Sequence, residues 1–513
     1  MKRKLALFLG VILIISLFAA CGQKTSQNNS TAKELDAAMV QAPNTFYPFG
    51  SHSMSDEYGY SQVFDTLITK DNNGNIVPSL AKKYDISSDG KVFTFTLTKG
   101  VKFTNGTEFK ASDAKFSLEK AKQAPYSASL FADVTSIDAV DDYTVKITLK
   151  NANASFMKIL STNYCPMVSK EALTKYGDKF GLTPEATVGT GPYILKELQP
   201  AQLCVFEANP DYFKGAANVK KIRIKTIGDS NAAMIALQTG EIQYYFNDIP
   251  GMSKDTIGKN EKLTLETFNS LKFYTILLNN SKGPFADVRL RQAIAYAIDR
   301  KKSLAVGLDG DGTIVDTPGG QDFTANPGGN WSYKLDIEKA KQLVKDAGME
   351  GKTITIKTLS SANFPKIATA LQDDLSKIGL TVKVSQEEQN TMITEASKGD
   401  FDMVIISWNY TTKDMGEAMS NFCLSPKLGA QGNMGGYSNP AMDQLLQKAQ
   451  REMDNNARKQ LYADALKIFN NDVPLIPLYY PNSSRAYSNN LVINKGYVQY
   501  NLLYYFKWNI SSK

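Results

Sequence analysis

Residues 84–106 read YDISSDGKVFTFTLTKGVKFTNG, and their alternation decides the first part of the fold. Phe93, Phe95 and Leu97 alternate with Thr94, Thr96 and Thr98, a period of two that gives a strand one buried and one solvated face. Asp89-Gly90 just ahead is a hairpin turn signal, because glycine reaches the positive φ that such turns need. A β-hairpin with one buried face is therefore expected. Further along, Ser112 is placed to cap a helix whose stripe is Ala114, Leu118 and Ala121. Residues 134–149 return to strands around Asp141-Asp142. On the N-terminal side, residues 40–49 carry Pro43 and Pro48 and read as a strand running into a loop.

The later half follows a different grammar. Asp287 precedes Leu290, Ala293, Ile294, Ala297 and Ile298, offsets that fit one helix face. The pattern recurs after Asp336, with Ile337, Ala340, Leu343, Val344 and Ala347, and Gly348 as the stop. Residues 353–358 read as a strand, residues 367–378 as a helix closed by Gly379, and Leu380, Val382 and Val384 as another strand. A strand–helix–strand crossover predicts a parallel pair in an α/β domain. Residues 401–408, FDMVIISW, form a continuous apolar run suited to a sheet covered on both faces. A final helix near residues 458–470 leads into proline-broken strands at 473–480. No internal repeat is visible.

About 480 residues follow position 33, too many for one core and enough for two or three domains. The formal charge is +7, falling to roughly +4 without Lys2, Arg3 and Lys4, and no dense basic stripe exists. Nucleic acid is not an expected partner. Beyond Cys21, only Cys165, Cys204 and Cys423 occur, so disulfides are not the framework and one pair is the most they allow.

Catalytic constellations of weight are absent. There is no G-x-S-x-G, no phosphate-binding loop and no H-E-x-x-H. His52 is the only histidine and reads as a polar loop residue. The run Asp309-Gly310-Asp311-Gly312 hints at calcium, but the glycine of that motif would fall at Ile314, so a Gly-rich loop is expected. No metal, cofactor or catalytic residue is assigned. Aromatics are more informative: 25 Tyr, 25 Phe and 3 Trp, with clusters at Tyr244-Tyr245-Phe246 and Trp408-Asn409-Tyr410. Trp408 ends a predicted buried strand, and ligands of open α/β sheets bind beyond strand carboxyl ends.

At the start of the chain, a basic tetrapeptide and an apolar run, residues 5–20, stop at Cys21. The run is shorter than a membrane-spanning helix needs. Leu17-Phe18-Ala19-Ala20-Cys21 resembles a bacterial lipobox, with Phe18 where Leu is usual. That resemblance implies a signal peptide over 1–20, a lipid on Cys21 and a flexible tether over 21–33. Several acyl chains hold a protein at a membrane without a spanning helix.

Three further blocks resemble one family, the dipeptide and oligopeptide class of extracytoplasmic solute-binding proteins of ABC importers. They are residues 85–121 (DISSDGKVFTFTLTKGVKFTNGTEFKASDAKFSLEKA), GTGPY at 189–193 with NPDYF at 209–213, and FADVRLRQAIAYAIDRKK at 285–302. The resemblance implies an α/β fold: a two-lobed, periplasmic-binding-protein-like clamp with mixed sheets, two hinge crossings and an extra β-rich subdomain near 60–205. Lobe I would take 34–284 and again 482–513, and lobe II 285–481. A monomer is expected that is not an enzyme, with peptide as ligand, ABC permease subunits as partners and Cys21 as membrane anchor. It would sit on the outer face of a Gram-positive-type membrane or in a periplasm.

Site residues follow from the same resemblance. Ser53, Met54 and Ser55 fall in the loop that pairs with the ligand main chain like an added strand. Tyr245, Phe246 and Asn247 fall at the pocket mouth; Trp408 and Tyr410, read from the aromatic cluster at the strand end, are either core packing or a pocket wall. Where many relatives hold the ligand ammonium with an aspartate, this chain has Thr411, and Asp414 is the nearest substitute. A neutral hydroxyl cannot supply that charge-assisted bond. Alternatives are the same clamp with a nickel chelate, oligosaccharide, opine or signalling peptide as cargo, a secreted hydrolase, or a sensor without transport.

Overall fold

The computed structural model describes residues 34–50, 53–71, 74–329, 331–361, 363–425, 433–493 and 508–510. Cys21, the signal and tether segments and His52 lie outside them.

Apolar side chains gather into two large cores and one small one. The first large core runs from Leu35 to Phe246 and takes in Tyr487, Leu491 and Trp508. The second runs from Leu271 to Tyr480. A small cluster of Ala233, Leu237, Tyr245, Ile257 and Ala486 adjoins the first. These groupings define two lobes, and the chain passes between them twice. The outward passage lies between strands Leu263–Asn269 and Lys272–Leu278. The sequence reading set it near 284, but Phe273, Ile276 and Leu278 are wholly buried in the second core.

The return passage lies inside one strand. Leu475–Ser488 is 14 residues long. Its first part pairs antiparallel with Lys272–Leu278, its middle with Gly312–Ile314, and its last part with Leu263–Asn269 and Tyr244–Tyr245. One 12-stranded mixed sheet therefore runs through both lobes. Of the prolines expected to break this segment, Pro474 precedes the strand and Pro477 is absorbed at a register shift opposite Thr275; Pro481, just beyond the expected break, faces Gly312. Backbone groups at the two passages also bond each other, Ser270 N donating to Pro481 O at 3.2 Å.

In the first lobe the hairpin forms where the alternation placed it. Strands Ala81–Ile86 and Val92–Leu97 pair antiparallel, with Phe93, Phe95 and Leu97 buried and Gly90 at φ +67° in the turn. With Val134–Asp141 and Thr144–Leu149 they make a separate four-stranded sheet. The helix Ala111–Gln123 packs its Ala114, Leu118 and Ala121 stripe into the core. Its start differs from expectation: Ser112 lies inside the first turn, and Asp113 reaches back to the Lys110 N–H at 3.1 Å. The strand expected within 40–49 lies earlier, at Glu34–Met39, since Pro43 and Pro48 leave that stretch without a ladder. GTGPY earns its glycines by close approach. A Cβ on Gly191 would lie 2.5 Å from the Gln62 carbonyl oxygen, and one on Gly189 would overlap the Val63 oxygen.

The second lobe keeps the aspartate-capped grammar. Asp287 accepts from Arg289 N at 2.9 Å and Asp336 from Lys339 N at 3.0 Å, each opening a helix. Strands Thr353–Leu359 and Thr381–Glu387 pair in parallel across the helix Phe364–Ser376. Met403–Asn409 lies between Thr353–Leu359 and Lys272–Leu278, with Met403 to Ile406 buried. Cys165, Cys204 and Cys423 are all buried free thiols.

Candidate functional site

The carboxyl end of Met403–Asn409 delivers the chain to the seam between the lobes. Trp408 is half-buried there and packs edge-on against Phe422 at 5.9 Å. Thr411 and Thr412 follow, and their backbone is held by an acid further on. Glu417 Oε1 accepts from Thr411 N at 2.8 Å, and Oε2 accepts from Thr412 N at 2.6 Å and from Thr412 Oγ1 at 2.7 Å. Burial raises the Glu417 carboxyl, and those hydrogen bonds partly offset the rise.

From the other lobe, the short helix Phe156–Leu160 reaches this loop through Lys158, whose Nζ lies 3.4 Å from the Lys413 carbonyl oxygen. Tyr164 links the two sides: its hydroxyl bonds the Thr411 side chain, and the charges of Glu57 and Glu417 both act on it. Lys70, on the strand Ile68–Lys70, lies within electrostatic reach of Lys158, Glu417 and Lys413. Burial lowers the Lys70 amine to about 7, with Lys158 adding to the effect.

Asp414 is occupied by the protein itself. Gly416 N donates to its Oδ1 at 2.8 Å, and both terminal nitrogens of Arg458 reach the carboxylate. Lys158 Nζ, from the first lobe, reaches Oδ2 at 2.9 Å. A carboxylate has about four lone-pair sites, and these four contacts fill them. Burial pushes Asp414 up, but Lys158 and Arg458 outweigh it and hold the carboxyl below the usual range. As arranged here, Asp414 has no acceptor left for a ligand ammonium.

The other expected residues divide. Ser53 is extended and exposed, and its hydroxyl caps the helix by accepting from Asp56 N at 3.1 Å. Met54 and Ser55 already belong to that helix, so strand-like backbone there is limited to Ser53. Phe246 packs against Tyr58 of the same helix at 5.3 Å, which joins the 245–247 segment to the 53–55 segment. Tyr245 itself is wholly buried within a strand, and Asn247 Oδ1 ties down Val40 N at 2.7 Å. Tyr410 is buried too: it stacks on Phe273 and donates its hydroxyl to Pro318 O at 3.0 Å. Thr411 thus meets the first lobe through Tyr164, Trp408 lies half-buried three residues before it, and Tyr245 and Tyr410 are buried.

Sequence reasoning missed Glu57, Lys70, Lys158, Tyr164, Glu417 and Arg458. Only Glu417 carried a signal, an acid three residues after a capping Asp414. Among the described residues no cluster of His, Cys, Asp or Glu is arranged to hold a metal ion, and no helix is long and apolar enough to cross a membrane.

This architecture has known relatives. The family model for bacterial extracellular solute-binding proteins, family 5, middle region, matches residues 75–429. A probable D,D-dipeptide-binding periplasmic protein of Escherichia coli is 30% identical over 432 residues, covering 82% of this chain and 81% of that one. A glutathione-binding protein of Pectobacterium atrosepticum is 30% identical over 458 residues, covering 86% and 87%. Among solved structures, an ABC transporter-associated periplasmic binding protein of Helicobacter pylori in complex with the peptide STSA superposes with a TM-score of 0.79 at 26% identity, covering 93% of this chain and 98% of that one.

The chain belongs to family 5 of the bacterial extracellular solute-binding proteins. It is a two-lobed receptor of the kind that serves ABC import of peptides or related solutes, and the relatives it matches are binding proteins, not enzymes.

Proposed function

We propose that the protein is a lipid-anchored receptor that captures peptides outside the membrane and delivers them to the permease of an ABC importer. The observation that supports this reading best is the meeting of polar side chains from both lobes at Tyr164 and Thr411. A solute enclosed there touches both lobes only when they close, so binding favours the closed state that a permease can recognise. Peptide-binding relatives and the STSA complex favour peptide over the other cargoes. Cys21, at the end of an apolar leader and the start of a polar tether, is the anchor in this reading.

Ser53, Trp408 and Thr411 are the proposed ligand contacts, and Met54, Ser55 and Phe246 line the mouth. Thr411 is uncharged and Asp414 is filled by Lys158 and Arg458, so the free amino terminus of the peptide is not the main feature read.

Calorimetry with a pool of two- to five-residue peptides, each free and N-acetylated, tests both parts. Binding is expected, with acetylation weakening it by less than about tenfold, since a full charge-assisted contact contributes more than that. Absence of binding across the pool, together with a non-peptide solute recovered by mass spectrometry from purified protein, would transfer the cargo to the nickel, sugar or opine readings.

A further inference from the structure

The seam between the lobes is crossed by bonds that involve no ligand atom. Lys158 Nζ of the first lobe donates to Asp414 Oδ2 of the second at 2.9 Å and lies 3.4 Å from the Lys413 carbonyl. Nearby, Ala154 N donates to Gln450 O at 3.0 Å. Met453 closes over the hairpin turn, its sulfur 3.2 Å from where a Cβ on Gly90 would stand. These contacts join the helix Phe156–Leu160 and the four-stranded sheet of lobe I to the helices Met415–Cys423 and Pro440–Arg451 of lobe II.

The Lys158 contact differs from an ordinary surface pair. Its side chain is 18% exposed and that of Asp414 is 0% exposed, so solvent screens it weakly. Asp414 is also fixed in place: Arg458 and Gly416 N hold it inside lobe II whatever Lys158 does. Lys158 thus meets a preorganised anion, and it loses that partner only when the lobes separate. A bond made in the closed state and broken in the open one shifts the equilibrium by its attraction less the cost of burying the Lys158 amine, whose pKa burial lowers against the pull of Asp414.

We propose that Lys158 and Asp414 form an interlobe latch that favours closure independently of cargo. This rests on the two-lobed receptor and not on the identity of its ligand. The receptor then samples the closed form before any solute arrives. Apparent affinity for every cargo is raised by the same factor, because a larger share of the protein is already in the competent state.

The test uses the full chain in detergent with no peptide added. Nitroxide labels are placed through Thr135→Cys in lobe I and Lys345→Cys in lobe II, both exposed, while Cys165, Cys204 and Cys423 are buried. Pulsed dipolar spectroscopy then reads the interlobe distances. With Lys158 present, a short-distance population is expected. Lys158→Met should lower the closed-to-open ratio about tenfold, the scale of one charge-assisted hydrogen bond, and Lys158→Arg should largely restore it.

Near-ultraviolet circular dichroism checks that packing is kept, and Lys158→Gln replaces the methionine variant if it is not. Unchanged distances on loss of the Lys158 charge would overturn the latch. So would an equal shift in Lys158→Arg, because packing and not charge would then set closure. Neither outcome bears on whether peptides bind, which the calorimetry reads separately.

Discussion

Arg458 and Asp414 lie against each other with side chains 1% and 0% exposed, a fully buried ion pair between the helix Asn455–Asp472 and the start of the helix Met415–Cys423. Removing one member of such a pair costs up to about 3–5 kcal/mol, and here Asp414 would keep only Lys158 and Gly416 N. Arg458→Met is therefore expected to destabilise the protein by up to that amount in denaturant titration. Lys158→Met, which leaves the Arg458 contacts to Asp414 in place, should cost far less. Equal losses from the two variants would show that the pair is not the structural anchor of this loop.

Lys70 predicts a pH dependence. Burial lowers its amine from the ordinary lysine value to about 7 in the folded protein. Between about pH 7 and 10.5 the unfolded chain holds a proton there that the folded one releases. More protons on the unfolded state mean that stability rises with pH across this window, with a slope for this one group of up to about 1.4 kcal/mol per pH unit. Lys70→Met should remove that slope. Parallel pH profiles for the two proteins, measured by urea titration, would contradict the assignment.

Trp408 stands half-buried at the strand end with one edge on Phe422. Trp408→Ala should cost less than the about 3–5 kcal/mol of a fully buried aromatic, and should weaken peptide binding at least about tenfold, as expected for a stacking wall. A large fall in melting temperature with unchanged affinity would place Trp408 in the core alone.

Gly191 sits so close to the Gln62 carbonyl that a Cβ would lie 2.5 Å from it. Backbone cannot yield as a flexible side chain does, so Gly191→Ala should destabilise by about 1–3 kcal/mol or more. Full stability in that variant would show that the two segments separate easily.

Cys21→Ala should release the protein from the membrane fraction with its fold intact. A membrane-bound variant would remove the lipid anchor from the proposal.

Much of the fold was legible because its signals are local. The hairpin at Asp89-Gly90, the helices opened by Asp287 and Asp336, and the parallel pair flanking Phe364–Ser376 each depend on neighbours a few residues apart. Where long-range pairing took over, local reading failed. Pro477 marks a break in sequence, yet its strand continues because it has partners from both lobes. Lys110 holds the cap position in place of Ser112 because Asp113 bonds back to it.

The site was less legible for the same reason. Lys70, Lys158, Glu417 and Arg458 are distant in the chain and carry no mutual spacing; only tertiary packing sets them around one loop. Trp408 could be set at a strand end from the apolar run before it, whereas Thr411 was singled out only by the family resemblance.

The strand Leu475–Ser488 governs how the two halves can move. A hydrogen-bonded ribbon bends and twists readily but does not slip along its neighbours without breaking a row of bonds. With the second passage fastened beside it through Ser270 and Pro481, the allowed displacement is a swing about one line, like a door on a single spindle. Shear or translation would break that row of bonds, whereas a swing keeps it.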